Sequence, residues 1–283
     1  MADDANRPLV ELYVKAAADK VHTGSCPTCQ KYFMALFVLR EQGLIDLVVT
    51  TFTTDNPPPE IMNFSNGKHY PLVKVHRGLD KDSVSFAGTE CDTLDEIEDV
   101  LKRLGSEDMA SRGDSKEEAE AEKAFEDLYK KFNLYLQDRK GDDKIVKGLN
   151  AGLGKLDAYL RTNNAKFLLK DHLTRADCFI LPTLQHIIVA GKAYKGFEIP
   201  AEYTALIQYM QDAYDTDAFR ESCPVDAEII RHYTTKAGPP QKGYPRKADE
   251  FNKTLTMEAT SNQDEQAGGD ATSSGEVAVN GAE

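Results

Sequence analysis

Short runs rich in β-branched residues dominate the first third of the chain, and a helical period replaces them further on. Residues 9–14 (LVELYV) predict a strand. A polar, loop-like stretch over 16–25 follows, and Cys26 opens a predicted helix that runs to about Gln42 and stops at Gly43. Residues 44–52 (LIDLVVTTF) predict a second strand. Three prolines at 57–59 and the Asn66-Gly67 turn interrupt the chain before a strand that Pro71 begins, over 71–75. A weaker strand is expected over 82–87 and a helix over 93–104, opened by the capping box Thr93-Leu94-Asp95-Glu96. Strand, CxxC-helix, strand, short helix, proline-led strand, strand and helix in this order is the thioredoxin plan, an α/β layer of about 100 residues.

From 105 to 116 the composition shifts to Ser, Gly, Asp and Glu, which predicts a domain boundary. Beyond it Phe125, Leu128, Tyr129, Phe132 and Leu136 keep helical spacing, and Leu149, Leu153, Leu156 and Leu160 do the same after a charged link at 138–147. Residues 176–190 form a largely apolar, hence buried, helix, and 203–214 and 226–233 predict two more. The expected architecture is therefore α/β plus all-α: a thioredoxin-like domain over 1–105, a linker over 106–116, an all-helical domain over 117–250 and an acidic tail over 251–283. That tail is poor in aromatics, so it lacks the apolar surface to offset its ordering entropy.

Charge narrows the function classes. Lys and Arg number 34 against 47 Asp and Glu, a net charge of −13, and an acidic surface repels phosphate backbones, which argues against a nucleic-acid partner. The first ten residues (MADDANRPLV) show neither a basic n-region nor an apolar h-region. The longest apolar run, 32–39, is eight residues, where a membrane span needs about 20. Five cysteines, an odd count, point away from a disulfide framework and toward a reducing cytoplasm with one reactive pair.

That pair is Cys26-Pro27-Thr28-Cys29. At a helix start the first amides lack internal partners and the helix dipole adds positive potential, so both favour a thiolate at Cys26. Pro27 suits the first helical position, where a missing N–H costs nothing. Cys29, one turn on, is placed to resolve a mixed disulfide. The competing readings are a zinc half-site, which would need two further ligands at matched spacing, and a pair of packing thiols. Pro71, some 40 residues later, fits either a cis X-Pro bond that aims the Tyr70 backbone at a bound thiol peptide or an ordinary trans proline at a strand edge. The helix start at Thr93 is either a carboxylate site facing the same cleft or a plain cap. Thiolate, edge backbone and anion site together suit glutathione.

These segments resemble the chloride intracellular channel (CLIC) family, which shares the fold of omega-class glutathione transferases. The likeness covers roughly residues 9–233. It is carried by Cys26-Pro27-Thr28-Cys29-Gln30 with Tyr32-Phe33-Met34-Ala35-Leu36, by Tyr70-Pro71, and by Leu173-Thr174-Arg175-Ala176-Asp177-Cys178 leading into Leu181-Pro182 and Leu184-Gln185-His186. Tyr194-Lys195-Gly196-Phe197-Glu198-Ile199-Pro200, Ala213-Tyr214 and Ser222-Cys223-Pro224 complete it. The Thr174–Asp177 capping box is common to glutathione transferases, whereas the Gly-Phe-Glu-Ile-Pro and Ser-Cys-Pro segments single out the CLIC family. Cys29 stands where many members carry Ser, and Phe37 where vertebrate members often carry Trp, so the chain resembles an invertebrate-type member.

The resemblance implies a glutathione-transferase-like fold and two activities: glutaredoxin-like, glutathione-dependent thiol oxidoreduction, and conditional insertion into membrane lipid as an anion channel, which would need a homo-oligomer. By position it makes Cys26 the catalytic thiol, with Cys29 opening a dithiol route, and places glutathione, as cosubstrate, against Pro27, Thr28, Tyr70 and Pro71. The family's acidic-hydroxyl pair falls on Thr93-Leu94, or on Asp92-Thr93 if one residue is inserted. The segment from Cys26 to about Asp46 matches the proposed membrane-spanning region, yet Lys31, Arg40, Glu41 and Asp46 are all costly in lipid. The alternatives are an omega-class-like transferase or dehydroascorbate reductase without a channel role, and a non-enzymatic scaffold.

Overall fold

The computed structural model describes residues 6–110 and 115–241. Its first unit is a sheet of strand order β2-β1-β3-β4, built from β1 (Leu9–Lys15), β2 (Asp46–Phe52), β3 (Leu72–Arg77) and β4 (Glu90–Cys91). β1 pairs parallel with β2 and antiparallel with β3, and β3 pairs antiparallel with β4. Alternation along β1 buries Val10, Leu12 and Val14 on one face, which joins Val73 and Val75 of β3 in the main core. Two α-helices of the described residues belong to this unit, α1 (Pro27–Glu41), which follows β1, and α2 (Leu94–Leu104), which follows β4, with a short 3-10 helix at Ile61–Asn63 between β2 and β3. α2 begins with the expected capping box. The Thr93 hydroxyl accepts from the Glu96 amide at 3.3 Å, and the Glu96 carboxylate accepts from the Thr93 amide at 2.9 Å.

The sheet direction positions the chemistry. β1 runs antiparallel to β3, and β3 to β4, so the end of β1, the start of β3 and the end of β4 lie at one edge of the sheet. Cys26, the Tyr70-Pro71 peptide and the start of α2 all sit on connections at that end.

The second unit is helical: α3 (Glu107–Ala110), α4 (Lys116–Phe125), α5 (Leu128–Gln137), α6 (Asp143–Thr162), α7 (Arg175–Lys195), α8 (Thr204–Tyr214), α9 (Asp217–Ser222) and α10 (Asp226–Ala237). α7 is its axis and is buried along most of its length. Its start is fixed by Asp177, fully buried, whose carboxylate accepts from the Thr174 amide (2.8 Å) and hydroxyl (2.7 Å), the Leu168 amide (2.9 Å) and the Tyr209 hydroxyl (2.9 Å). One hydrophobic cluster runs from Val10 to Tyr233 without a break between the units, because α1 packs on the sheet with one face and on α7 and α9 with another.

Several expectations need correction. Residues 82–87 do not form a strand. Asp80 Oδ1 accepts from the amides of Asp82 and Val84, and this side-chain turn bends the segment, leaving a single bridge between Leu79 and Ser85. The short β4 takes the expected place. The helical period over 125–136 spans two helices, since Glu126 is extended and Asp127 adopts a φ of 62° between α4 and α5. α6 starts inside the charged stretch over 138–147, capped by Asp142, and α9 is a short helix that no helical period predicts. The segment read as a linker contains α3, with Met109 buried. The tail expected over 251–283 lies outside the described residues.

Candidate functional site

Cys26 is the N-cap residue of α1, with Pro27 at the first helical position. Its amide donates to Gly24 O at 2.9 Å, and Gly24 N donates to Lys15 O at 2.7 Å, so the turn before the thiol is folded against the end of β1. That fit is close: a Cβ on Gly24 would lie 2.5 Å from the Ala16 carbonyl oxygen, so only glycine fits there. Cys26 is half-buried and Cys29 is buried.

The Cys26 thiol is drawn down from an ordinary 9.0 to about 6. The largest influence is a hydrogen bond from the Cys29 thiol. Burial opposes it, and the backbone amides of Cys29 and Thr28 and the Lys15 ammonium add to it. Burial and the neighbouring Cys26 push the Cys29 thiol in the opposite direction, well above the ordinary value. The two sulfurs thus divide the roles: Cys26 holds the charge and Cys29 holds the proton. The sequence pointed to the helix start, but the side-chain donor contributes more.

A pH dependence follows. Alkylating reagents attack the thiolate, so the iodoacetamide rate at Cys26 should fall with decreasing pH through a midpoint at about 6 and level off well above it. Cys29→Ala should raise the midpoint, whereas Cys29→Ser, which retains a donor, should hold it. A wild-type midpoint near 9.0 would show that the thiol is not activated.

The Tyr70-Pro71 peptide is cis. The Tyr70 hydroxyl donates to Phe52 O at 3.1 Å and its ring lies 4.6 Å from the Phe52 ring, which fastens this turn to the end of β2. His69 fastens the same turn to the start of α2, its Nε2 lying 2.7 Å from Asp92 O and 2.5 Å from Asp92 Oδ1. Sequence reasoning gave His69 no role. At the α2 start, Glu96 Oε2 already accepts from the amides of Asp92 (2.8 Å) and Thr93 (2.9 Å), which lowers the Glu96 carboxyl pKa. An arriving carboxylate therefore competes with Glu96 for these donors, while Asp92 Oδ1, close to His69 Nε2, is buried without a hydrogen-bond partner.

Behind Cys26 the two units meet through charge. Arg175, on α7, donates from Nη2 and Nε to the two oxygens of Glu98 on α2, at 3.0 and 3.3 Å, and from Nη1 to Glu122 at 3.1 Å. The Tyr32 hydroxyl of α1 donates to the same Glu98 at 2.9 Å, and the Arg175 guanidinium stacks 4.0 Å from the centre of the Phe179 ring. The Glu98 side chain is 5% exposed and that of Arg175 11%, so this is a largely buried, multiply hydrogen-bonded pair. The Lys31 ammonium lies 5.1 Å over the other partner of this cluster, Phe179, and burial lowers its pKa. On the opposite side of Cys26, Ser25 Oγ donates to Glu228 O at 2.7 Å and Ala18 N to Glu228 Oε1 at 3.3 Å, which ties α10 to the thiol-bearing turn.

Residues 8–96 match the family model for the CLIC-like N-terminal domain, and residues 118–212 that for the glutathione S-transferase C-terminal domain. The chain is 35% identical over 227 residues to the chloride intracellular channel Clic of Drosophila melanogaster, covering 80% of this chain and 81% of the relative. Among solved structures it is similar to the CLIC homologue EXC-4 from C. elegans, with a TM-score of 0.68 and 28% identity over 83% of this chain and 84% of that one. It is also similar to the dehydroascorbate reductase of Chlamydomonas reinhardtii, with a TM-score of 0.62 and 22% identity over 80% of this chain and 98% of that one, a likeness of fold. The fold is that of the glutathione transferases.

Proposed function

The chain belongs to the chloride intracellular channel family, and on that premise we propose that it acts in the cytoplasm as a glutathione-dependent thiol-disulfide oxidoreductase with Cys26 as nucleophile. The carrying observation is the half-buried Cys26 at the N-cap of α1, followed by Pro27 at the first helical position and by the buried Cys29. The Cys26 thiolate attacks one sulfur of a disulfide, the S–S bond breaks, and the other half leaves as a thiolate that takes a proton from water. A glutathione thiolate then attacks the Cys26 mixed disulfide, restores the Cys26 thiolate and leaves with the second half as a mixed disulfide. A second glutathione reduces that, so two glutathiones become one glutathione disulfide for each disulfide reduced. Pro27 and Thr28 at the helix start, the Tyr70 backbone before Pro71, and the Asp92-Thr93 end of α2 form the glutathione cradle in this reading. Glutathione-dependent reduction of hydroxyethyl disulfide tests it, and no turnover by the wild-type chain would overturn it.

A second reading, conditional membrane association with anion conduction by a homo-oligomer, is favoured by how the units are joined. No helix among the described residues is long and apolar enough to cross a membrane, so insertion requires α1 to leave the shared core. Acid promotes this through the helical unit. Burial, with the charges of His232 and Lys236, holds His186 of α7 down to about 3, and burial with Lys236 and Lys15 holds His232 of α10 down to about 4. A histidine kept neutral in the fold but protonated at an ordinary 6.5 when unfolded contributes stability above that pH, and loses it as pH falls toward the folded value. Protonation of carboxylates also reduces the net charge of −13 that repels anionic lipid. Liposome flotation and anion efflux should therefore rise on acidification, and oxidation of Cys26 with Cys29 should add to the rise. Strong insertion at neutral pH under reducing conditions would contradict conditional association.

A further inference from the structure

Of the run Cys26-Pro27-Thr28-Cys29-Gln30, the thiol chemistry uses the first four residues and gives Gln30 no role. Gln30 lies in the first part of α1 and is only 3% exposed. Its backbone is ordinary, the amide donating to Cys26 O at 3.0 Å. Its side chain is not: neither Oε1 nor Nε2 has a hydrogen-bond partner among the described residues. A carboxamide carries two donor hydrogens and an acceptor oxygen, and each destabilises a fold that takes it out of water without a bond. Elsewhere on α1 and the turn before it, buried hydroxyls are bonded, Tyr32 to Glu98 and Ser25 to the Glu228 carbonyl.

The helical stripe that holds Gln30 locates this penalty. Phe33, Met34, Phe37 and Glu41 follow it at spacings of three, four, seven and eleven, so the five share one face of α1. Phe33 and Met34 are buried, and the Phe33 and Phe37 rings stand 6.1 Å apart. At the far end of the stripe, Glu41 lines one groove with Thr216 and Asp217 at the start of α9. The stripe is therefore the face that α1 turns to the helical unit, where it packs on α7 and α9. With the units together, the Gln30 carboxamide is sealed in this seam. With the units apart, water reaches it and supplies its bonds.

We propose that Gln30 is a release device: its buried, unbonded carboxamide weakens the seam between α1 and the helical unit, so that α1 leaves that unit more readily than its apolar contacts alone would allow. The penalty acts on the joined state and vanishes on separation, so it shifts the equilibrium toward separation by its full amount. A methionine in the same seat has nearly the same length and no group that must be desolvated, so the apolar contacts alone would hold α1 more firmly. Folds keep such a conflict between burial and polarity where the seat serves a function. The function assigned to it here rests on the membrane reading, in which α1 must leave the shared core.

The test compares Gln30→Met and Gln30→Leu with the wild type, each as the full reduced chain. In Gln30→Met the Tm should rise by about 3–8 °C. Hydrogen exchange of the α1 amides over 30–39, read by mass spectrometry, should slow by at least about tenfold. The fraction of chain that floats with anionic liposomes in acid should fall by about threefold or more as separation becomes rarer. Gln30→Leu is shorter and branched, fills the seat less well, and should move each readout in the same direction by less. A Tm that is unchanged or lowered in both variants overturns the proposal. So does a raised Tm with unchanged flotation in a chain whose wild type floats. A raised Tm and slower α1 exchange, in a chain that does not float even as wild type, overturns the membrane reading and leaves the weakened seam standing.

Discussion

Cys26→Ser is expected to abolish glutathione-dependent reduction of hydroxyethyl disulfide, lowering kcat/KM by at least about 10³-fold, as loss of a covalent nucleophile does. Cys29→Ser is expected to stay within about tenfold of wild type, because glutathione itself can resolve the mixed disulfide on Cys26. The asymmetry follows from the two thiols, one held as thiolate at about 6 and the other kept protonated and buried. A serine at position 29 still offers a hydroxyl donor to the Cys26 sulfur, so the thiolate survives, whereas Cys29→Ala removes that donor and should lose more activity near neutral pH than Cys29→Ser. Comparable losses in Cys26→Ser and Cys29→Ser would instead mean that a dithiol cycle is obligatory.

Arg175→Met is expected to destabilise the fold by about 3 kcal/mol, since it leaves the Glu98 carboxylate buried without its cation. For a described region of this size that corresponds to a fall in Tm of roughly 6–12 °C. Methionine fills most of the same volume and keeps an apolar contact with Phe179, so the loss reports charge rather than a cavity. The Tyr32 hydroxyl continues to donate to Glu98. Adding Glu98→Gln should recover a substantial part of the loss, because the remaining buried group is then neutral. Urea unfolding of the single and double variants measures both. A cost under about 1 kcal/mol in the single variant would place this pair with surface ion pairs.

The elements that local chemistry dictates were legible in the sequence. β1 follows from its alternation, α1 from the proline at its first position, and the starts of α2 and α7 from capping boxes whose partners lie three residues apart. The misreadings occur where a side chain overrides the pattern. Asp80 bends residues 82–87 by taking two amides, and Asp127 turns the chain between two helices whose apolar spacing continues across the break. At the candidate site, the place of Cys26 at the start of α1 and the proline after Tyr70 are readable because both are local features of the sequence. His69 with Asp92 and Arg175 with Glu98 are separated by 23 and 77 residues and are brought together only by the sheet order and the packing of α7. The Cys29 thiol as donor was hidden for another reason: three-residue spacing shows that two sulfurs are near, but not which one keeps the proton.

The unbroken core also bears on modularity. A thioredoxin-like unit that stands alone in other settings owns every face of its first helix, whereas here α1 is divided between the sheet and α7 with α9. Tyr32 illustrates the shared ownership: its ring meets Phe179 of α7 edge-on at 5.8 Å while its hydroxyl serves Glu98 of α2. The units are consequently halves of one cooperative body, and a cut in the segment between them separates covalent pieces without separating cores. The redox centre cannot be transplanted as a free-standing cassette, because the helix that carries it is completed by residues from the other end of the chain.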